Sequence, residues 1–274
     1  MVRFLTTHVQ SRPDDPNNSY YLSVVGKLYE SRNAHDLARQ YYRRALFGYP
    51  DVLVHSVSSH RVVVRELLQI VEEPEERVSY LHYLQDYFPA SIDPGLLAFY
   101  LGEAYEAAGR WEEAYESYRR FLSFQDTTIP GAPNARRDIT RRLAFYDSER
   151  QWTNPDLNEL VDQIKAALWA QDPRRLLQHR AGTNFFTMSW EQEESDENSD
   201  IPTFDIGAFL RRSRVRYADE LELTSNANEA YLRTWGWSHR IPTWYLYFRR
   251  VDFPADPEID GTWEWAGILF GESY

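Results

Sequence analysis

One pattern occurs twice in this 274-residue chain with the same internal spacing, and it constrains the fold more than any other feature. Gly26, Tyr29, Ala38 and Tyr42 in the first copy match Gly102, Tyr105, Ala114 and Tyr118 in the second, 76 residues further on. The stretch from Leu97 to Leu122 indicates what the pattern builds. Leu101, Tyr105 and Ala108 recur at helical spacing, as do Ala114, Tyr118 and Phe121, with a turn at Gly109-Arg110 between them. Gly102 and Ala114 carry almost no side chain, so two helix backbones can approach closely while tyrosines fill the space around them. Such a hairpin leaves its outer apolar surface bare and requires stacked neighbours.

The first copy has the same organisation. Leu22, Val25, Gly26 and Tyr29 mark one helix, Ala38, Tyr42 and Ala45 the next, and Pro50 ends the unit because it cannot donate to a continuing helix. A separation of 76 residues is two units of 38, so a further unit is expected between the copies. Residues 52–71 and 75–88 supply its two helical patterns and Pro89 closes them. The β-branched run Val62-Val63-Val64 suits a fully buried helix there. After Phe124 comes a Pro-, Gly- and Thr-containing loop, then a helix at about 134–148 bearing Arg136, Arg137, Arg141 and Arg142. That helix is expected to cap the repeats, and its arginines are a candidate anion site set against the plainer reading of a solvated face. Residues 1–19 are expected as a leader or arm, polar and rich in Pro and Asn after residue 9.

A glycine, an aromatic three residues on, a small residue opening the second helix, an aromatic four beyond it and a closing proline resemble the tetratricopeptide repeat. The resemblance covers residues 20–50 and 95–125. It implies a groove along the first helices that holds a protein or peptide segment. Carried over by position, Tyr20, Ser23, Lys27 and Glu30 would face that groove, with Leu96, Phe99, Glu103 and Glu106. The clamp with which one subclass grips a terminal carboxylate needs Asn and Lys or Arg where Ser23, Phe99 and Glu103 stand, so that ligand is not implied.

From about residue 181 the period changes. FFTMSWEQ at 185–192 is strand-like, an acidic loop and the short helix of DIGAFLRRS follow, and four strand patterns complete the chain. Trp244, Leu246 and Phe248 alternate with Tyr245, Tyr247 and Arg249, as in a sheet with one face more buried. Together with a long helix opening at Asn154-Pro155-Asp156, this is an α+β domain over 155–274 with an antiparallel, aromatic-rich sheet. It follows an all-α helical-repeat domain over 20–150 with units near 20–50, 51–90 and 95–125. The order helix, short helix, strand, helix, four strands is similar to the cone-shaped NTF2-like superfamily, whose opening helix pair IKAALWAQDPRRLLQHR resembles; a cystatin-like cone has nearly the same order. The first resemblance implies a pocket lined by Trp235, Trp237, Trp244, Trp263, Trp265, Tyr245 and Tyr247, accompanied by Arg249, Asp252, Asp219 and His239. Aromatics in strands more often form core, and that reading is favoured.

Other chemistry has little support. A formal charge of −12 argues against nucleic acid or an anionic membrane as the main partner. There is no cysteine for disulfides, thiolate catalysis or Cys-based metal sites. The seven histidines lack zinc-binding spacing, and GxSxG, GxxxxGK and GxGxxG are all missing. Asp196, Asn198 and Asp200 have the alternate spacing of a calcium loop, but Ile201 stands where a glycine is needed; Asp256, Glu258, Asp260 and Gly261 fit better a hairpin turn. No cofactor or metal is therefore expected. With no apolar run long enough to span a bilayer, a cytoplasmic location is favoured, or an envelope one had a signal been removed. The sequence favours a non-enzymatic adaptor. The alternative is a small-ligand-binding or enzymatic C-terminal domain with the repeats as a targeting arm.

Overall fold

Short polar side chains and prolines set most of the helix starts. The structure, a computed structural model, describes residues 1–189, 205–238 and 240–271. It divides into two units, Met1–Ile139 and Thr140–Tyr274.

The first unit is helical: α1 (Val2–Ser11), α2 (Asn18–Glu30), α3 (His35–Gly48), α4 (Ser59–Ile70), α5 (Pro74–Tyr87), α6 (Pro94–Ala107) and α7 (Trp111–Ser123), with α8 (Ala135–Tyr146) crossing the division. Asp93 caps α6 by accepting the Leu96 N–H at 2.8 Å, with Pro94 opening the first turn. In both copies of the repeat the tyrosine of the second helix lies flat on the glycine of the first. A Cβ on Gly26 would stand 2.5 Å from Tyr42 Cδ1, and one on Gly102 the same 2.5 Å from Tyr118 Cδ1. The hairpins α2–α3 and α6–α7 thus share one closely packed geometry. Between them, α4 and α5 place Val64 and Tyr80 at the register of the glycines and tyrosines, both buried. The Cβ of valine rules out a ring lying on the backbone, which is why the signature is absent from this pair although its tyrosine persists.

Two expectations are corrected here. Residues 1–11 are not an arm: α1 buries Val9, 1 % exposed, in the same apolar cluster as Leu22, Tyr42 and Leu67. The Pro- and Asn-rich stretch after it is a tight turn, in which the Asn18 amide donates to the carbonyls of Arg12 at 2.8 Å and Pro13 at 3.1 Å. The helix expected from residue 52 starts at Ser59 instead. Before it lies a hairpin of β1 (Leu53–Val54) and β2 (Val57–Ser58), turned by His55 and Ser56 at φ of 51° and 65°. The Ser58 hydroxyl then caps α4 by accepting from Arg61 N–H at 3.0 Å.

The second unit holds α9 (Leu157–Trp169), α10 (Pro173–Gln178), β3 (Phe186–Ser189), α11 (Ile206–Arg212), β4 (Arg216–Tyr217), β5 (Glu229–Trp235), β6 (Thr243–Arg250) and β7 (Trp263–Phe270). Asp156, Asp172 and Asp205 cap the three helices. The sheet runs β3-β7-β6-β5-β4 and is mixed rather than antiparallel, because β3 pairs parallel with β7. No hairpin joins β3 to its neighbour, so nothing in the connection forces it to reverse. One face packs Leu160, Ile164, Leu176 and Leu210 of the helices against Leu232, Trp244, Leu246, Phe248 and Ile268. The second half of α8, expected to cap the repeats, belongs to this unit: Phe145 meets Phe253 edge-to-face at 5.1 Å. Among the described residues no helix is long and apolar enough to cross a membrane.

Candidate functional site

In the first unit the residues assigned to a groove separate into two groups. Tyr20, Lys27 and Glu103 are exposed, and Leu96 is partly so. Lys27 Nζ donates to Glu66 Oε1 on α4 at 2.6 Å, which raises the pKa of the ammonium. Ser23 is buried, its hydroxyl turned onto the Tyr20 carbonyl at 2.7 Å. Phe99, 6 % exposed, is core: it packs on Phe121 at 5.3 Å and Tyr118 at 6.2 Å. Glu30 and Glu106 are also committed inward. Each accepts the hydroxyl of the tyrosine that covers its glycine, Tyr42 to Glu30 and Tyr118 to Glu106, both at 2.6 Å. Burial, then this bond to Glu30, pushes the Tyr42 phenol far above its ordinary value. Tyr42→Phe and Tyr118→Phe are each expected to cost about 1 kcal/mol in urea unfolding, the net worth of one such bond. A loss near zero in both would show that the glutamates are held by something else.

A polar knot joins α2, α4 and α5. Ser19 and Ser59 hydroxyls lie 2.9 Å apart, and Ser59 donates to Asp51 Oδ1 at 3.0 Å. Burial tends to raise the Asp51 pKa, but donation from the His60 N–H, Ser58 and Ser59 outweighs it and the net direction is down. Serine, histidine and aspartate meet here without forming a hydrolytic triad. The His60 ring engages the Tyr83 hydroxyl at 2.7 Å and the Tyr49 carbonyl at 3.1 Å, and neither serine hydroxyl.

In the second unit the residues read as a pocket lining are mostly core. Trp237 and Trp244 stack at 4.7 Å with 5° between their planes, and Trp265 is fully buried. Their N–H groups donate to Thr234 Oγ1 at 2.7 Å, Ile241 O at 3.1 Å and Gly267 O at 2.9 Å respectively. Trp263 is partly buried against the same cluster. The proposed polar companions do not converge. Asp219 and Asp252 are exposed, and His239 lies outside the described residues, as do Asp196, Asn198 and Asp200.

The opposite face of the sheet carries Tyr231, Arg233 and Trp235 of β5 beside Tyr245, Tyr247 and Arg249 of β6. Phe186 covers Gly267, where a Cβ would lie 2.8 Å from its Cζ, and meets Tyr247 at 5.4 Å. Glu229 accepts the Tyr247 hydroxyl at 2.8 Å and the Tyr231 hydroxyl at 3.3 Å. Burial first, then the Glu229 charge, pushes Tyr231 up to about 12. At one end Arg249 Nε donates to Glu264 Oε1 at 2.7 Å, and Trp152 Nε1 donates to Glu264 Oε2 at 2.7 Å. The register that places this carboxylate was not visible in the sequence.

Three of the remaining candidates have structural roles. Arg136 caps α7 through the carbonyls of Leu122 at 3.0 Å and Phe124, and its guanidinium lies 5.1 Å from the Phe121 ring centre. Asp256 and Asp260 accept backbone N–H groups of Glu258 at 3.1 Å and Phe253 at 2.8 Å inside the β6–β7 turn. Among the described residues no group of three or more His, Asp or Glu gathers as a metal site would require. No protein-family model matches the chain, and no curated protein matches it either.

Proposed function

We propose that this chain is a non-enzymatic adaptor whose helical unit is a tetratricopeptide-like solenoid binding a segment of a partner protein along α2, α4 and α6. The observation that carries the reading is the pair of matched hairpins, in which glycine, glutamate and tyrosine make the same contacts twice at the same spacing. A stack of such hairpins presents its first helices as a row. Among the side chains of that row, Tyr20, Lys27, Arg65 and Glu103 are exposed and Arg61 is partly so. On this reading the α+β unit is an accessory domain of NTF2-like kind. The enzymatic or small-ligand alternative draws no support from Trp237, Trp244 and Trp265, which pack into the core instead of lining a space.

Peptide-display selection on the full chain, followed by hydrogen exchange with and without the selected peptide, tests the proposal. Added protection is expected in α2, α4 and α6, and Tyr20→Ala with Lys27→Glu should weaken binding about tenfold. Protection confined to α3, α5 and α7, or selection of no peptide, would sink it.

A further inference from the structure

We infer that the outer face of the sheet at β4–β5 docks an acidic peptide segment of a partner protein, gripped by Arg214, Arg216 and Arg233 around the indole of Trp235. This site belongs to the second unit and does not depend on the reading of the helices.

The geometry follows from the strand pattern. Ser213 is extended at φ −127°, ψ 147°, and β4 begins three residues on at Arg216. Val215 and Tyr217 pack on the helical core, so the alternating Arg214 and Arg216 point to the other face. Arg216 pairs directly with Trp235. Arg233, two residues earlier on β5, places its guanidinium 5.8 Å from the Trp235 ring centre. Gly236 at φ +86° lets the Arg214 backbone close in, since a Cβ there would lie 2.5 Å from the Arg214 carbonyl oxygen. Backbone pairing thus gathers three arginines beside one indole, with the Arg233 guanidinium the one shown over its ring.

Arg214, Arg216 and Arg233 are all exposed. Among the described residues Arg214 and Arg216 form no ion pair, and Arg233 reaches Glu222 only at 3.6 Å, with side chains 49 % and 34 % exposed. In a chain of formal charge −12, three exposed arginines, two of them without an ion pair among the described residues, are an outlier. Guanidinium groups bind carboxylates in a bidentate fork, and the aromatic plate gives the aliphatic part of the ligand a surface. β4 is the edge strand and pairs among the described residues only with β5, so an extended segment can run alongside it. A nucleic acid strand fits less well. Glu222 stands beside Arg233, and Glu229 lies further along the same face, in the path of a continuous phosphate backbone.

The test uses the full-length protein and three fluorescent probes: a ten-residue peptide of glutamate and serine, its glutamine counterpart, and a ten-nucleotide single-stranded DNA. Anisotropy at low salt should show saturable binding of the glutamate peptide only, weakening as salt rises. Arg214→Glu with Arg216→Glu should weaken it about tenfold or more, while Arg120→Glu on α7 leaves it within about twofold. If the double variant fails to fold, Arg233→Gln alone should still weaken binding about threefold. Absence of saturable binding, equal loss in Arg120→Glu, or tighter binding of the DNA would each overturn the assignment.

Discussion

Gly102→Val is expected to destabilise the helical unit by about 3 kcal/mol, with Gly26→Val costing a similar amount. Propensity alone argues for a gain, because a glycine inside a helix is worth about 0.5–1 kcal/mol less than alanine. Packing decides the other way. The first added carbon would stand 2.5 Å from Tyr118 Cδ1 and 2.9 Å from Cζ, well inside van der Waals contact. The ring cannot swing aside cheaply. Its hydroxyl is held by Glu106, while Phe99 and Tyr115 lie against it with ring centres 6.2 Å and 6.4 Å away. Either the hairpin opens or the tyrosine leaves the core. Tyr118→Leu in the Gly102→Val background removes the obstructing ring, so the double variant should be less unstable than the sum of the singles. Urea unfolding of the four proteins measures that coupling. A Gly102→Val protein as stable as the parent would mean that the ring-on-backbone contact does not hold the hairpin together.

The same contact shows what was legible in the sequence. Glycine and tyrosine at a fixed interval betray a close helix crossing, because few other residue pairs tolerate one. The repeat pattern therefore located α2, α3, α6 and α7 without further information. The role of Glu30 and Glu106 was not legible. By helical position they belong with a groove, and only a partner helix in place shows that each accepts a tyrosine hydroxyl. A signal was nonetheless present, since both copies carry glutamate four residues after the glycine. Phe99 failed for a related reason: position on a helix assigned it outward, whereas its ring area rewards contact with Phe121. The hairpin at 53–58 had no turn signal, because His55 and Ser56 adopt positive φ without being Gly or Asn.

In the sheet, alternation marked which side chains of β6 face the core, and Trp244, Leu246 and Phe248 are buried as that pattern requires. Alternation carries no information on strand direction, so the parallel pairing of β3 could not be read from it. Nor does local pattern reveal which arginines the fold engages. The run at 136–142 drew attention by density, yet Arg136 is used to close a helix end. Arg214, Arg216 and Arg233 are separated in sequence and become neighbours only through the register of β4 on β5.

Arg249→Met is expected to cost the second unit about 3–5 kcal/mol, more than its partly exposed position suggests. Its partner Glu264 is 1 % exposed, and its carboxylate accepts from two donors, Arg249 Nε and Trp152 Nε1, both at 2.7 Å. Removing the arginine leaves a buried charge with one neutral donor, and the cost is that of the stranded anion more than of the lost attraction. Burial is asymmetric across the pair, since the Arg249 side chain is 33 % exposed and can be solvated when its partner is removed. Glu264→Gln should therefore be milder than Arg249→Met, because glutamine is neutral and its oxygen still accepts from Trp152. Placing Glu264→Gln in the Arg249→Met background should recover much of the loss, the reverse of what independent sites would do. Thermal and urea unfolding of the three variants decides it. If Glu264→Gln proves the more damaging change, the carboxylate is stabilised by its surroundings without Arg249, and this end of the sheet is held by the Trp152 bond alone.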